Sequence, residues 1–331
     1  MLNKKFKSFF VIKKNTRFQY VEKNHIINDI NKNELIIKIK YSSLNYKDFL
    51  VCVGRYWDAR KYPLIPGIDC AGTVAYSRSK KFNIGDKVVI IASPAGSRIN
   101  GGFSRYIKID SKWVSKIPKG LNEKSTMIYG TAGFTAMHII QKILKSKINN
   151  DLPILVTGGS GGVGSFSIFI LSKLGFNITA STRTLKNKNF LKSIGANNII
   201  LDKTFKNENE LPMQKKMFST CIDSVGGQSL GFILKRIVND GSCYTVGFSQ
   251  SNELVNINLT AFILRGIKLI GIHTESINRH HRENVWKKIS LFNKVNKFPK
   301  IIYKEIRFSL LKKTLVKFNQ QKSGRFLIKI N

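Results

Sequence analysis

The residues best suited to chemistry begin at Thr157, in the run Thr-Gly-Gly-Ser-Gly-Gly-Val-Gly164. Gly159, Gly161 and Gly164 satisfy G-x-G-x-x-G. The apolar run Pro153-Ile-Leu-Val-Thr157 before them predicts a short buried strand, and Val163–Leu174 after them predicts a helix. In that setting each glycine has a task. One permits a tight turn, one lets backbone approach a diphosphate, and one lets the helix pack closely on the strand. The helix start offers free N–H groups and the positive end of its dipole to phosphates. Ser160, Gly161, Gly162, Val163 and Gly164 are therefore the expected dinucleotide cradle. Cofactor choice is read at the end of the next strand, predicted over Phe176–Ala180. An acid there would hold the ribose diol of NAD; a cation with hydroxyls would hold the 2′-phosphate of NADP. The chain has Ser181-Thr182-Arg183-Thr184, then Lys186 and Lys188. A guanidinium and hydroxyls suit a phosphate dianion through charge-assisted hydrogen bonds, which favours NADPH. With 56 Lys and Arg in 331 residues, an Arg at any one point is also expected by chance.

The loop also fits T-G-x-x-x-G-x-G, the pattern of short-chain dehydrogenases. Two features argue against that group. About 150 residues precede the loop, and no Tyr-x-x-x-Lys pair follows it: Tyr244 leads to Phe248 and Tyr303 to Arg307.

Two kinds of element must position this loop. Residues 1–125 read as β-rich, with β-branched runs at Leu35–Lys40 and Lys87–Ile91. Gly85-Asp86, Gly101-Gly102 and Pro118–Gly120 mark turns between them. The basic start, MLNKKFKSFFVIKK, has an apolar stretch only from Phe9 to Ile12, which reads as a first strand rather than a leader. From about residue 126 strands and helices alternate. Further strands are predicted at Asn198–Leu201, Thr220–Asp223, Ser242–Val246 and Ile267–Ile272, with helices at Lys186–Ile194 and Leu230–Val238. Such alternation implies βαβ units and a parallel sheet. The tail from 300 to 331 returns to short strand-like runs.

Length and composition exclude several classes. A chain of 331 residues fits about two domains. Its 42% hydrophobic and 23% charged residues are ordinary for a globular protein, and no apolar run approaches the ~18 residues of a membrane span. Cys52, Cys70, Cys221 and Cys243 are scattered without a C-x-x-C pair, so a reducing compartment, the cytoplasm, is expected. The net charge of +37 suggests a polyanion partner. The cations run from Lys4 to Lys329 without clustering, however, and Lys dominates. Compositional drift toward Lys, Asn and Ile accounts for the charge, and nucleic acid is not the expected partner.

Five motifs in order carry a resemblance: Ser43-Leu-Asn-Tyr-Lys-Asp48, Pro66-Gly-Ile-Asp-Cys-Ala-Gly72, Gly85-Asp-Lys-Val, Gly130-Thr-Ala-Gly-Phe-Thr-Ala136 and the glycine loop. The chain resembles the medium-chain dehydrogenase/reductase superfamily. More narrowly, it resembles the zinc-independent branch of acrylyl-CoA reductase and quinone oxidoreductase-like proteins. The resemblance implies an α/β fold class: a GroES-like β-domain plus a Rossmann domain with a doubly wound parallel sheet. Residues 1–125 would start the catalytic domain, 126–272 would bind NADP, and 273–331 would return to complete the first domain. Substrate would lie between the two. A homodimer pairing Ile267–Ile272 edge to edge is also implied. Where zinc-dependent relatives carry Gly-His-Glu, this chain has Gly67-Ile68-Asp69, so no metal is expected. Cys70 is then core packing.

Without a Lewis acid, reduction of an activated C=C bond is the accessible chemistry. Hydride adds to the β-carbon of an enoyl thioester, charge develops on the thioester oxygen, and a proton reaches the α-carbon. Tyr46 is the first candidate for that proton, or for stacking on the nicotinamide. The resemblance groups Asn45, Asp48 and Asp69 with it as a polar cluster. Turn capping is the alternative for these three. Asp48 and Asp69 are expected to orient Tyr46 or Lys47 rather than to act as bases. By position, Thr131, Phe248, Ile263, Thr274 and Arg325 are further cofactor contacts. His280 and His281 read as a solvated helix start. The expected partner is a small enoyl thioester of coenzyme A, with a quinone or enone as the alternative substrate. A nucleotide-sensing or nucleic-acid-binding protein on a dehydrogenase scaffold is the non-enzyme alternative.

Overall fold

The computed structural model describes residues 3–146, 151–205, 211–251, 253, 257–296, 298–299, 303–318 and 323–330. Parts of the predicted strand-like tail (300–302, 319–322 and 331) lie outside them. The chain forms two compact units. The first comprises Met1–Phe134, Glu275–Gln321 and Arg325–Asn331; the second comprises Thr135–Thr274 and Lys322–Gly324.

The first unit opens with a hairpin, β1 (Phe6–Lys14) and β2 (Arg17–His25), paired antiparallel along their whole length. Phe9 and Val11 of β1 are completely buried, which is why this basic segment is a strand. A second sheet contains β3 (Glu34–Leu44), β4 (Asp69–Ser77), β5 (Lys87–Ile90), β6 (Tyr106–Asp110) and β7 (Val114–Lys116). Its path is β14-β15-β3-β4-β5-β7, with β6 also on β3; the last two strands come from the tail, β14 (Tyr303–Arg307) and β15 (Arg325–Lys329). β3 sets the core: Leu35, Ile37 and Ile39 are fully buried, while Lys38 and Lys40 face water. They pack with Phe82, Val88, Phe103, Leu315 and Ile328, each contributing about 1.5–3 kcal/mol by leaving water. Four helices complete the unit: α1 (Tyr46–Cys52), the first half of α2 (Glu123–Lys145), α7 (Arg279–Val295) and α8 (Leu311–Val316). α1 was not visible in the sequence, since seven residues are too few to show a helical period. The short runs expected in the tail include a helix, α8. Asn278 caps α7 through the His281 N–H, so His280 and His281 do begin a helix.

The second unit holds six parallel strands: β8 (Ile154–Val156), β9 (Ile178–Thr182), β10 (Asn198–Leu201), β11 (Phe218–Asp223), β12 (Ile237–Thr245) and β13 (Lys268–Gly271). Their order is β10-β9-β8-β11-β12-β13. This is the doubly wound arrangement, and the chain reverses its direction of travel between β8 and β11, where such folds bind dinucleotides. The helices here are α3 (Gly162–Lys173), α4 (Lys188–Ser193), α5 (Gly227–Leu234) and α6 (Leu259–Arg265). Several boundaries move from expectation, two of them with a plain consequence or cause. β9 runs on to include Ser181 and Thr182. α5 stops at Leu234, because β-branched Ile237 and Val238 join β12, and Phe218 on β11 pairs with Ile237.

Candidate active site

A buried polar cluster forms in the first unit around Asp69, the first residue of β4. Its carboxylate is fully buried. Oδ2 accepts from Ser43 Oγ at 2.7 Å, Asn45 Nδ2 at 2.9 Å and the Thr131 N–H at 2.9 Å. Oδ1 accepts from Thr131 Oγ1 at 2.5 Å. Arg325 Nη2 lies 3.6 Å from Oδ2 and donates to Ser43 Oγ at 2.8 Å. Arg325 is also buried, and burial lowers its pKa while Asp69 supports the charge. Gly130 makes this geometry accessible. It breaks α2 with φ 50° and ψ −157°, which frees the Thr131 N–H to turn toward Asp69. A Cβ at Gly130 would fall 2.4 Å from Asp69 Oδ2 and 2.6 Å from Arg325 Nη2. Only glycine fits both the conformation and the space.

Asp48 is the second buried carboxylate. Oδ2 accepts from the Asn45 N–H at 2.8 Å and Asn45 Nδ2 at 3.3 Å, closing the first turn of α1. Oδ1 accepts from the N–H groups of Gly67 at 3.1 Å and Ile68 at 2.9 Å. Burial pushes its pKa up to about 7, against the lowering effect of these N–H donors. Asn45 thus bridges the two carboxylates.

Tyr46 follows Asn45 but stays outside the network. It is 44% exposed, and its ring stacks on Phe49 at 6.1 Å. Neither Asp48 nor Asp69 bonds Tyr46 or Lys47, which corrects the expectation that they orient those side chains. Both carboxylates are saturated by other donors, and Lys47 lies over the Tyr56 ring. Cys52 and Cys70 are buried in the core, Cys70 as the packing residue expected. Among the described residues, no three His, Cys, Asp or Glu side chains come together as a metal-holding group.

In the second unit the glycine loop joins β8 to α3. The left-handed turn falls on Gly158, at φ 56°, not on any of the three glycines counted in the motif. Gly164 provides close packing: a Cβ there would lie 2.4 Å from the Gly158 carbonyl oxygen. A Cβ on Gly161 would meet only that oxygen, at 3.2 Å, so this flank of the loop is open. Gly161 caps α3, and the first-turn amides of Gly162, Val163 and Gly164 have no acceptor within the helix. Beneath the loop, Thr157 Oγ1 donates to buried Asp223 at the end of β11, and Ser224 bonds back to Thr157. These bonds clamp the two strands at the reversal point.

The selectivity segment is more divided than its sequence suggests. Ser181 is buried and donates to Asp202 Oδ1 at 2.7 Å. Asn187 Nδ2 donates to Ser160 Oγ at 3.1 Å and Thr182 Oγ1 at 3.3 Å, tying two expected contacts together. Arg183 is exposed and makes no ion pair among the described residues. Phe248 and Ile263 are exposed, Thr274 is half-buried, and Gly324, beside Arg325, donates its N–H to the Ser160 carbonyl at 3.1 Å. Ser43, Gly130, Gly158 and Asn187 were missed as members of these sites. Ser43, Gly130 and Gly158 each lie within one of the five motifs, which was the available signal; Asn187 lies in none.

A β-unit carrying a buried carboxylate cluster and a glycine-loop parallel α/β unit define a class: two-unit oxidoreductases built to hold a dinucleotide. Comparison with known proteins narrows it. Residues 31–119 match the family model of the alcohol dehydrogenase GroES-like domain, and 162–290 match that of the zinc-binding dehydrogenases. Acrylyl-CoA reductase AcuI of Ruegeria pomeroyi is 34% identical over 80% of this chain and 80% of its own length. YhfP of Bacillus subtilis, named as a candidate quinone oxidoreductase, is 32% identical over 91% of this chain and 92% of its own. The yhdH oxidoreductase of Salmonella enterica, solved in complex with NADP, superposes with a TM-score of 0.91 at 29% identity, covering 98% of this chain and all of that one. Bacillus subtilis yhfP, solved with NAD bound, gives 0.91 at 30% identity, covering 99% of this chain and all of that one. The chain belongs to the medium-chain dehydrogenase/reductase family, in the group of acrylyl-CoA reductases and quinone oxidoreductase-like proteins.

Proposed function

We propose that this oxidoreductase uses NADPH to reduce the C=C bond of a small α,β-unsaturated acyl thioester, of the acrylyl-CoA to propanoyl-CoA type. The observation that carries the reading is the open flank of the loop at Gly161 beside the unbonded first-turn amides of α3. That geometry fits a diphosphate, and exposed Arg183 just past β9 fits the 2′-phosphate of NADP. When bound, NADPH supplies the hydride. Ser160 to Gly164 hold its diphosphate, and Asn187 fixes Ser160 and Thr182 beside it. Asp69 and Arg325 position Thr131 and Asn45, and Asp48 holds the start of α1. Tyr46, at that start, presents a phenol free to donate a proton or to stack. Phe248, Ile263 and Thr274 line the same cofactor. We read residues 1–125 and 273–331 as the catalytic domain and 126–272 as the cofactor domain. The exposed edge strand β13 pairs two copies as a homodimer, and the enzyme works in the cytoplasm.

Steady-state rates with acryloyl-CoA and with a soluble quinone, each with NADPH and NADH, test the reading. Preferential turnover of acryloyl-CoA with NADPH is expected. Turnover of the quinone alone would replace the substrate, and failure of either nucleotide to bind would end the enzymatic reading. In Tyr46→Phe, kcat falls if the phenol donates the proton; an unchanged kcat with every accepted substrate removes it from that role.

A further inference from the structure

α1 leads into a loop that carries an exposed Trp among cations. Arg55, Trp57, Arg60 and Lys61 are all exposed, and none makes an ion pair among the described residues. Trp57 is 71% exposed, whereas Trp286 is 1% exposed and Trp113 packs on the core of the first unit. The loop itself is anchored. Ala59 is buried with Val51 and Leu64, and Tyr62 Oη donates to the Val51 carbonyl at 2.8 Å. Tyr56 packs on the same cluster, its ring 6.0 Å from that of Trp57, and Lys47 Nζ sits 4.6 Å over the Tyr56 ring. A fixed loop therefore presents a bare indole flanked by unpaired cations. Such pairing of an aromatic face with positive charge suits a purine carrying phosphates.

We propose that this loop holds the adenosine 3′-phosphate 5′-diphosphate end of a coenzyme A thioester. The Trp57 indole stacks on adenine, and Lys47, Arg55, Arg60 and Lys61 neutralise the phosphates. The inference rests on the thioester reading above and gives the carrier its own site in the first unit. Its position agrees with the substrate's shape. Coenzyme A carries its nucleotide and its thioester at opposite ends of a long arm, and the loop belongs to the same segment of the first unit as Tyr46, the first residue of α1. The general excess of positive charge does not account for it, since the excess supplies lysines everywhere but an exposed Trp only here.

Adenosine 3′,5′-bisphosphate is the probe, titrated by calorimetry into the full chain in the presence of saturating NADPH. Saturable, salt-sensitive binding is expected, weakened about tenfold in Trp57→Ala and also in Arg60→Gln. A parallel kinetic arm compares acryloyl-CoA with acryloyl-pantetheine. Trp57→Ala should raise KM about tenfold for the CoA ester and leave KM for the pantetheine ester as it was. Absent binding, or binding equal in wild type and Trp57→Ala, overturns the proposal, as does an equal change of KM for both esters. If neither ester is reduced, the thioester reading fails, and the bisphosphate titration still decides whether the loop takes a phosphorylated purine.

Discussion

Replacing Asp69 by Asn removes one negative charge with almost no change in volume. In the native cluster that charge faces buried Arg325 and four donors from Ser43, Asn45 and Thr131. An amide keeps one acceptor oxygen and places an NH₂ where an acceptor is required. Arg325, buried and 3.6 Å away, loses its counter-charge. Removing one partner of a buried pair costs about 3–5 kcal/mol. For a unit of this size that lowers Tm by roughly 6–20 °C. Thermal unfolding followed by circular dichroism reads the loss directly. The double variant Asp69→Asn with Arg325→Met tests the cause, because it keeps the amide of the single variant and removes the lone buried charge that variant leaves behind. It should recover at least half of the deficit. Asp69→Asn within about 1 kcal/mol of wild type, or a double variant no more stable than the single, would refute the ion-pair argument.

Three more outcomes follow from the same geometry. Gly161→Ala should fold with a loss below about 1 kcal/mol yet bind NADPH weakly, since its methyl enters the open flank; Gly164→Ala should be unstable, because its Cβ strikes the Gly158 carbonyl. Paired melting curves and NADPH titrations separate the two. Arg183→Ala should weaken NADPH about 10- to 100-fold and leave NADH nearly unchanged, as fluorescence titration would show. Asp48 has a pKa raised to about 7 in the folded state, so the native chain binds its proton more tightly than the unfolded chain does. Stability from this group is therefore greatest below the ordinary carboxylate range and is lost as pH rises through about 7, a loss of up to about 4 kcal/mol. Asp48→Asn should flatten the pH dependence of unfolding between pH 4 and 8, and an unaltered slope would remove Asp48 as its source.

The two sites differ in how far they could be read in advance. The glycine loop was visible because its parts are contiguous: a strand, a run of glycines and a helix within about twenty residues. Even there, the turn fell on Gly158, since the motif fixes spacing but not which glycine takes the left-handed conformation. Along the chain the selectivity segment is one cluster of hydroxyls and cation. Extension of β9 through Thr182 instead buries Ser181 against Asp202 and leaves Arg183 alone outside. Asn187 gave no signal, because its two contacts depend on the turn that brings it back over Ser160.

The chain alone determined the alternation of strands and helices, the glycine cradle and the β-rich first unit, because hydrophobic period and glycine placement act over a few residues at a time. Folding decided the carboxylate cluster. Ser43 and Arg325 lie 282 residues apart and meet only because β15 pairs with β3. Removing Asp69 and Arg325 from water is tolerable because each faces the other's charge and Ser43, Asn45 and Thr131 donate to the carboxylate. Such mutual neutralisation depends on distances in space, which spacing along the chain does not encode.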